Sequence, residues 1–204
     1  MYSEEEIKSL RERVREHLSE KRFRHTLGVE KMAAYLADYC FPEKKQSLRA
    51  AALLHDIAKE LPVDEQLDLI KKGGINLSEE ELKAVPTLHS FASVYLIKRD
   101  FPSFSKNDIL LACRNHTVGT SDMTLFEEII FLSDYIEEGR IYQDSVELRE
   151  NVLSSLGHDL EKNIKLIHSA VVKSLDLTIA HLEAQGKYIN PKTVLTRNSI
   201  SSKI

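Results

Sequence analysis

The chain has 204 residues, 28 basic against 32 acidic side chains for a formal charge of −4, and a 42% hydrophobic content. A chain of this size buries roughly 70% of its unfolded surface, so a core forms without staples, and a 29% charged fraction beside ample Leu, Ile, Val and Phe excludes a disordered chain. Seven Gly, five Pro and no Trp are few for an all-β or loop-rich protein, and the mild acidity gives no basis for a broad nucleic-acid surface, which needs clustered positive charge.

Helical signals follow one another along the chain. Ser3 with Glu6 is a capping-box start, and Ile7, Leu10, Val14 and Leu18 then recur at helical spacing, predicting an N-terminal helix over 3–20. A second helix is expected from about Phe23 to Cys40, with Leu27, Met32, Ala33 and Leu36 facing inward. After Pro42 an Ala-rich helix runs through Leu53 and Leu54 into His55 and Asp56 and ends before Pro62. Asp64 opens a fourth helix that stops at Gly73 and Gly74. Helices from His89 to Lys98 and from Ser105 to His116 come next, the latter with Ile109, Leu110 and Ala112 as its apolar set.

In the second half, Thr124 and Glu127 form another capping box ahead of the run Ile129 to Ile136, and Gly139 breaks that helix. Ser145 caps a short helix to about Leu156, and a long one follows from about His158 to Gln185. Pro191 suits the first turn of a last short helix. Repeats, low-complexity tracts, linkers and strand signals are lacking. The expectation is a single all-α domain over 1–204, with a core of about 20–186 and a short C-terminal helix or tail over 190–204. Cys40 and Cys113 are too isolated for a Cys-based zinc site and suit a reduced compartment. The acidic start, Met1 to Glu6, is unlike a signal peptide, and no apolar run approaches the ~18 residues of a membrane span. A cytoplasmic location with no membrane or nucleic-acid partner is expected, and exposed apolar residues on the C-terminal helix leave room for a homodimer.

The chemistry lies in eight histidines and a few aspartates. A lone helical His is ordinarily a surface or satisfied core residue, and His17, His158, His168 and His181 are read that way. His55-Asp56 differs, because it follows the small apolar stretch Ala50 to Leu54. An imidazole beside a carboxylate at a buried helix end is unfavourable unless something offsets the desolvation, and a metal ion does so by binding both. His25, His89 and His116 fall at helix starts and ends, and Asp134 sits within an apolar run. Four His and two Asp on successive helices can converge on one mixed N/O site suited to Fe, Mn, Zn or Co.

In order and spacing, His25, His55-Asp56 and Asp134 resemble the HD-domain metal-dependent phosphohydrolases. The fuller strings Arg22 to Val29, Leu53 to Pro62, Leu88 to Ser90, Asn115 to Gly119 and Ile130 to Arg140, with the tail Ile189 to Asn198, resemble the YqeK family of symmetrical bis(5′-nucleosyl)-tetraphosphatases. The resemblance covers about 20–198. Val118 and Glu138 stand where the family often has Thr and Pro, Thr26 where it often has Ser, and Ile141 to Ser145 depart from its commoner run.

The resemblance implies an HD-domain helical bundle in which His25, His55, Asp56 and Asp134 hold iron, with manganese or cobalt as alternatives. It implies that His89 and His116 face the same pocket, as ligands of a second metal or as contacts to the polyphosphate. Arg22, Lys59, Thr117 and Arg140 match positions near the nucleotide, so the implied substrate-binding set is Arg22, His25, His89, His116, Thr117, Asp134 and Arg140. The implied catalytic residues are Asp56 and Lys59, and the implied reaction cuts diadenosine tetraphosphate into two ADP. A metal there lowers the pKa of its water toward ~7, Lys59, Arg22 and Arg140 neutralise developing charge, and His89 or His116 protonates the leaving diphosphate. Two alternatives stay open: an HD-type phosphohydrolase of another nucleotide, and a non-catalytic nucleotide-binding protein.

Overall fold

Most helix starts in this chain are fixed by side-chain caps. In the structure, a computed structural model that describes residues 2–204, Ser3 and Glu6 cap each other's backbone ahead of α1 (Glu4–Arg15), whose first turn is acidic and last turn basic, as the helix dipole favours. Ser19 caps α2 (Glu20–Cys40), its Oγ accepting from Arg22 N at 3.2 Å, so this helix begins at Glu20 rather than at Phe23. The backbone N–H and hydroxyl of Ser19 in turn donate to Glu60 at 2.7 and 2.6 Å.

The third helix differs from expectation. α3 (Lys45–Leu54) ends before the His-Asp pair, and residues 55–60 are turns. Hydrogen bonds there tighten to three-residue spacing, Ile57 N to Leu54 O at 3.2 Å and Lys59 N to Asp56 O at 2.9 Å. Pro62 lies just beyond; it has no N–H and disfavours a helical residue before it. His55 and Asp56 therefore project from the end of a helix instead of lying within one.

α4 (Val63–Lys72) ends at Gly73. The short α5 (Glu79–Lys83) was not expected; it rests on a capping box of Ser78 and Glu81. α6 (Leu88–Asp100) and α7 (Asn107–Asn115) follow, and α8 (Leu125–Ile136) carries the Thr124 and Glu127 box. α9 (Gln143–Ser155) starts earlier than expected, so Ser145 lies in its first turn rather than capping it. α10 (Leu160–Ala184) is capped by Asp159, and α11 (Pro191–Ser201) by Asn190 with Pro191 at its first position. Three 3-10 turns complete the chain, and no strand occurs among the described residues, so the all-α expectation holds. Among those residues, no helix is long and apolar enough to cross a membrane.

α3 sits at the centre. Leu48, Ala50, Ala51, Ala52, Leu53 and Leu54 are fully buried, and the small alanines let α1, α2, α7 and α8 approach it closely. α6 bridges α4 and α7, while α10 packs on α8, α9, α2 and α11. Leu27 and Leu110 are only partly buried, and Leu18 lies beyond the end of α1. This packing brings the first two turns of α2, the ends of α3, α7 and α8 and the start of α6 to one place.

A buried ion network ties the first three helices together. Glu30 of α2, 3% exposed, accepts from Arg11 of α1 at 2.6 and 2.7 Å and from Arg49 of α3 at 2.9 Å, and Arg49 continues to Glu4. Glu30→Ala removes the inner partner of a buried Arg49 and is expected to cost about 3 kcal/mol in urea unfolding. A loss below about 1 kcal/mol would make the network equivalent to a surface ion pair.

Candidate metal centre

His25 lies in the second turn of α2, His55 and Asp56 in the turn after α3, His89 in the first turn of α6, His116 at the C-cap of α7 and Asp134 near the end of α8. Their side chains meet. His25 Nε2 is 3.1 Å from Asp134 Oδ1 and 3.8 Å from Asp56 Oδ2. His55 Nε2 is 3.5 Å from Asp56 Oδ2 and 4.0 Å from Asp134 Oδ1. On the other side of the same carboxylate, Asp56 Oδ1 lies 3.1 Å from His89 Nε2 and 3.4 Å from His116 Nε2.

The backbone fixes the tautomers. His55, His89 and His116 each turn Nδ1 back to the carbonyl three residues earlier, Ala52 O at 2.6 Å, Pro86 O at 3.0 Å and Cys113 O at 2.8 Å. A carbonyl only accepts, so Nδ1 carries a proton and Nε2 faces the centre. His25 does the same with a carboxylate, its Nδ1 lying 3.1 Å from Glu137 Oε1. His25 Nε2, His55 Nε2 and Asp56 Oδ1 are buried with no hydrogen-bond partner among the described residues. Leaving such groups unpaired is costly, and a cation at their focus is what they fit. Two ligand triples result, His25–His55–Asp134 and His55–Asp56–His116, both of N and O donors without thiolate. That donor set suits a first-row divalent ion.

Electrostatics around the centre are strongly coupled. Burial opposes ionisation of Asp56, but His55, His116 and His89 outweigh it and hold the carboxyl well below the usual range. Asp134 is likewise held low against burial by His25 and Arg140. Burial depresses His55 and His89 to about 4 each. Burial would also depress His25, but the adjoining Asp134 and Glu137 carboxylates push it up to about 9. Three cations ring the cluster: Arg22 Nη1 is 2.9 Å from Asp56 Oδ2, Arg140 donates to the Asp134 carbonyl at 2.8 Å and to its carboxylate, and Lys59 Nζ is 3.3 Å from His89 Nδ1. Thr117 borders the pocket with its hydroxyl buried and unpartnered among the described residues.

The structure thus gathers His25, His55, Asp56, His89, His116 and Asp134, with Arg22, Lys59, Thr117 and Arg140 around them. Sequence reasoning missed the role of Glu137. Its carboxylate is buried between Gly28 and Gly139: a Cβ at Gly28 would overlap one oxygen, and a Cβ at Gly139 would lie 2.9 Å from both. Two glycines vacate the space that this carboxylate needs to orient His25. The signal was present as an acid three residues after Asp134 with a glycine two residues further on. His181, read as a surface residue, lines a cavity that reaches His116 and Asp134. His168 is a structural partner of the buried Glu128, in keeping with its bland reading.

A helical bundle with His and His-Asp donors in this order defines a class of metal-dependent hydrolase. The model of the HD domain matches residues 22–139, and the chain belongs to the HD-domain family, whose members bind divalent metals. It is 31% identical over 189 residues to a symmetrical bis(5′-nucleosyl)-tetraphosphatase of Halalkalibacterium halodurans, covering 92% of each chain. It is also 31% identical over 190 residues to the Bacillus subtilis protein of the same name, covering 93% of this chain and 94% of that one. The crystal structure of a predicted HD superfamily hydrolase involved in NAD metabolism from Clostridium acetobutylicum superposes over 100% of both chains with a TM-score of 0.82 at 30% identity.

Glu137→Ala is expected to weaken metal retention 10- to 100-fold in competition with a chelator while helix content is kept, as for other carboxylates behind a ligating His. Glu137→Gln keeps an acceptor for His25 Nδ1 and is expected to lose less. Wild-type metal retention in Glu137→Ala would contradict the orienting role.

Proposed function

We propose that this protein is a metal-dependent hydrolase that cleaves diadenosine tetraphosphate symmetrically into two ADP. The observation that carries the reading is the pair of buried ring nitrogens, His25 Nε2 and His55 Nε2, with Asp56 Oδ1, all without hydrogen-bond partners among the described residues and gathered beside three cations. The names of the relatives that align over nine-tenths of both chains supply the substrate. Residues His25, His55, Asp56 and Asp134 would hold the primary ion, and their N/O donor set suits iron, with manganese or cobalt as alternatives. The Asp56 carboxylate faces the His25 and His55 pair with one oxygen and the His89 and His116 pair with the other, so His89 and His116 with Asp56 would suit a second ion.

When bound, the ion supplies Lewis acidity toward a phosphoryl oxygen and lowers the pKa of water toward ~7. The protein does the rest. Arg22 and Arg140 reach the centre through its two aspartates and meet the charge that builds on the equatorial phosphate oxygens. Lys59, at the His89 edge, meets the charge on the leaving diphosphate. Burial pushes His89 down to about 4 and its Nδ1 faces Pro86 O, so its Nε2 is placed to serve as an acceptor or ligand. ADP leaves as an anion stabilised by the cations. Two free, buried cysteines agree with a reduced, cytoplasmic setting.

Purified protein with its metal content determined is expected to convert diadenosine tetraphosphate to ADP alone, resolved by chromatography. Asp56→Ala is expected to lower kcat at least about 10³-fold with the circular dichroism of a folded helical protein, as loss of a group central to a catalytic unit does. ATP plus AMP as products, or near wild-type turnover by Asp56→Ala, would overturn the reading.

A further inference from the structure

The segment between α7 and α8, residues 116–124, carries His116 and Thr117 at the pocket. It contains no helix, so its shape has to come from bonds to its neighbours. At its neck, Asn115 Nδ2 donates to the buried Glu127 carboxylate at 2.6 Å, and Gly119 N donates to Asn115 O at 2.9 Å. Beyond the neck the partners come from the C-terminal helix. Thr196 Oγ1 donates to Val118 O at 3.1 Å, Ser199 Oγ to Ser121 O, and Lys203 Nζ to Met123 O at 2.6 Å. Positions 196, 199 and 203 follow the spacing of one helix face, so a single side of α11 and its final turn meets all three carbonyls.

The two ends of this contact are buried. Thr196 is fully buried, and Gly119 lies against it with φ +72°; a Cβ there would overlap the Thr196 methyl and lie 2.9 Å from its Oγ1. At the other end, Lys203 Nζ also meets the Glu128 carboxylate at 2.8 Å, which is fully buried on α8 and faced by His168 of α10. A buried carboxylate needs such partners to offset its lost hydration, so the end of the chain is anchored there.

The same helix reaches the His89 flank. Lys192 Nζ, in the first turn of α11, donates to Glu81 at 2.7 Å, and Glu81 caps α5, which leads into the turn Val85–Thr87. Pro86 O in that turn faces His89 Nδ1 at 3.0 Å and Lys59 Nζ at 3.4 Å. His25, His55 and Asp134 take their bonds elsewhere, from Glu137, the Ala52 carbonyl and Arg140.

We propose that α11 is a brace for the His89 and His116 side of the centre, and that Thr196 is a positioning residue that acts through Val118 O on His116 and Thr117. The substrate used to test it rests on the proposed function.

Thr196→Val removes the hydroxyl at nearly constant volume and leaves the Val118 carbonyl without it, whereas Thr196→Ser keeps the donor. In Thr196→Val the amides of residues 117–123 are expected to exchange with deuterium about tenfold faster than in wild type. KM for diadenosine tetraphosphate is expected to rise about fivefold with kcat within about twofold, while the metal is retained against a chelator as in wild type. Thr196→Ser is expected to stay within about twofold of wild type throughout. A purely structural role would lower the folded fraction, and so kcat, without moving KM. Should Thr196→Val fail to fold, Ser199→Ala, nearer the surface, carries the same comparison, with KM expected to rise about twofold. Wild-type exchange in Thr196→Val, or faster exchange beside an unchanged KM, would overturn the positioning role. Absence of hydrolysis by the wild-type protein would instead overturn the proposed function, and the exchange comparison would still decide the brace.

Discussion

One carboxylate governs the arrangement. Asp56 is 3% exposed, yet four histidines and an arginine approach it within 3.8 Å. Removing an ionised carboxylate from water costs several kcal/mol, and attraction from well-placed partners has to offset that cost. The five partners come from four parts of the chain: Arg22 and His25 from α2, His55 from the turn after α3, His89 from α6 and His116 from the end of α7. The bundle is therefore arranged so that these helix segments end or pass at one point, and the same convergence makes the site.

Local rules of chain geometry do much of the placing. Three of the four histidines point their Nε2 atoms inward because Nδ1 folds back on the carbonyl three residues earlier, a contact available where a helical turn starts or stops. The tight turn ahead of Pro62 swings His55 and Asp56 off the end of α3, and the link from Glu60 to Ser19 joins that turn to the start of the helix that bears Arg22. His25 lies in the second turn of α2, past the helix start where a backbone carbonyl is free, and Glu137 takes that part. Gly28 and Gly139 open the space for it.

Much of this was legible in the chain. The capping boxes at Ser3 and Thr124 mark helix starts that the structure keeps, because the signal is local and the hydrogen bonds are made within four residues. The expectation that α3 would include His55 failed because hydrophobic spacing continues past Leu54, while the backbone responds to the proline further on. Ser145 misled as a cap because α9 starts two residues before it, at Gln143, with no side-chain cap to mark the start. The histidines and aspartates at the centre stood out as polar residues in apolar surroundings. Glu137 and His181 did not, since their meaning comes from partners more than a hundred positions away in one case and from the cavity wall in the other.

The central claim is that His25, His55, Asp56 and Asp134 form one metal-binding unit. Crystals of the purified protein, measured on either side of the absorption edge of the metal found by elemental analysis, test it most directly. The account predicts an anomalous peak about 2.0–2.2 Å from His25 Nε2, His55 Nε2 and an oxygen of each aspartate. A metal-free cluster in protein that hydrolyses its substrate, or an ion bound elsewhere in the chain, would contradict it.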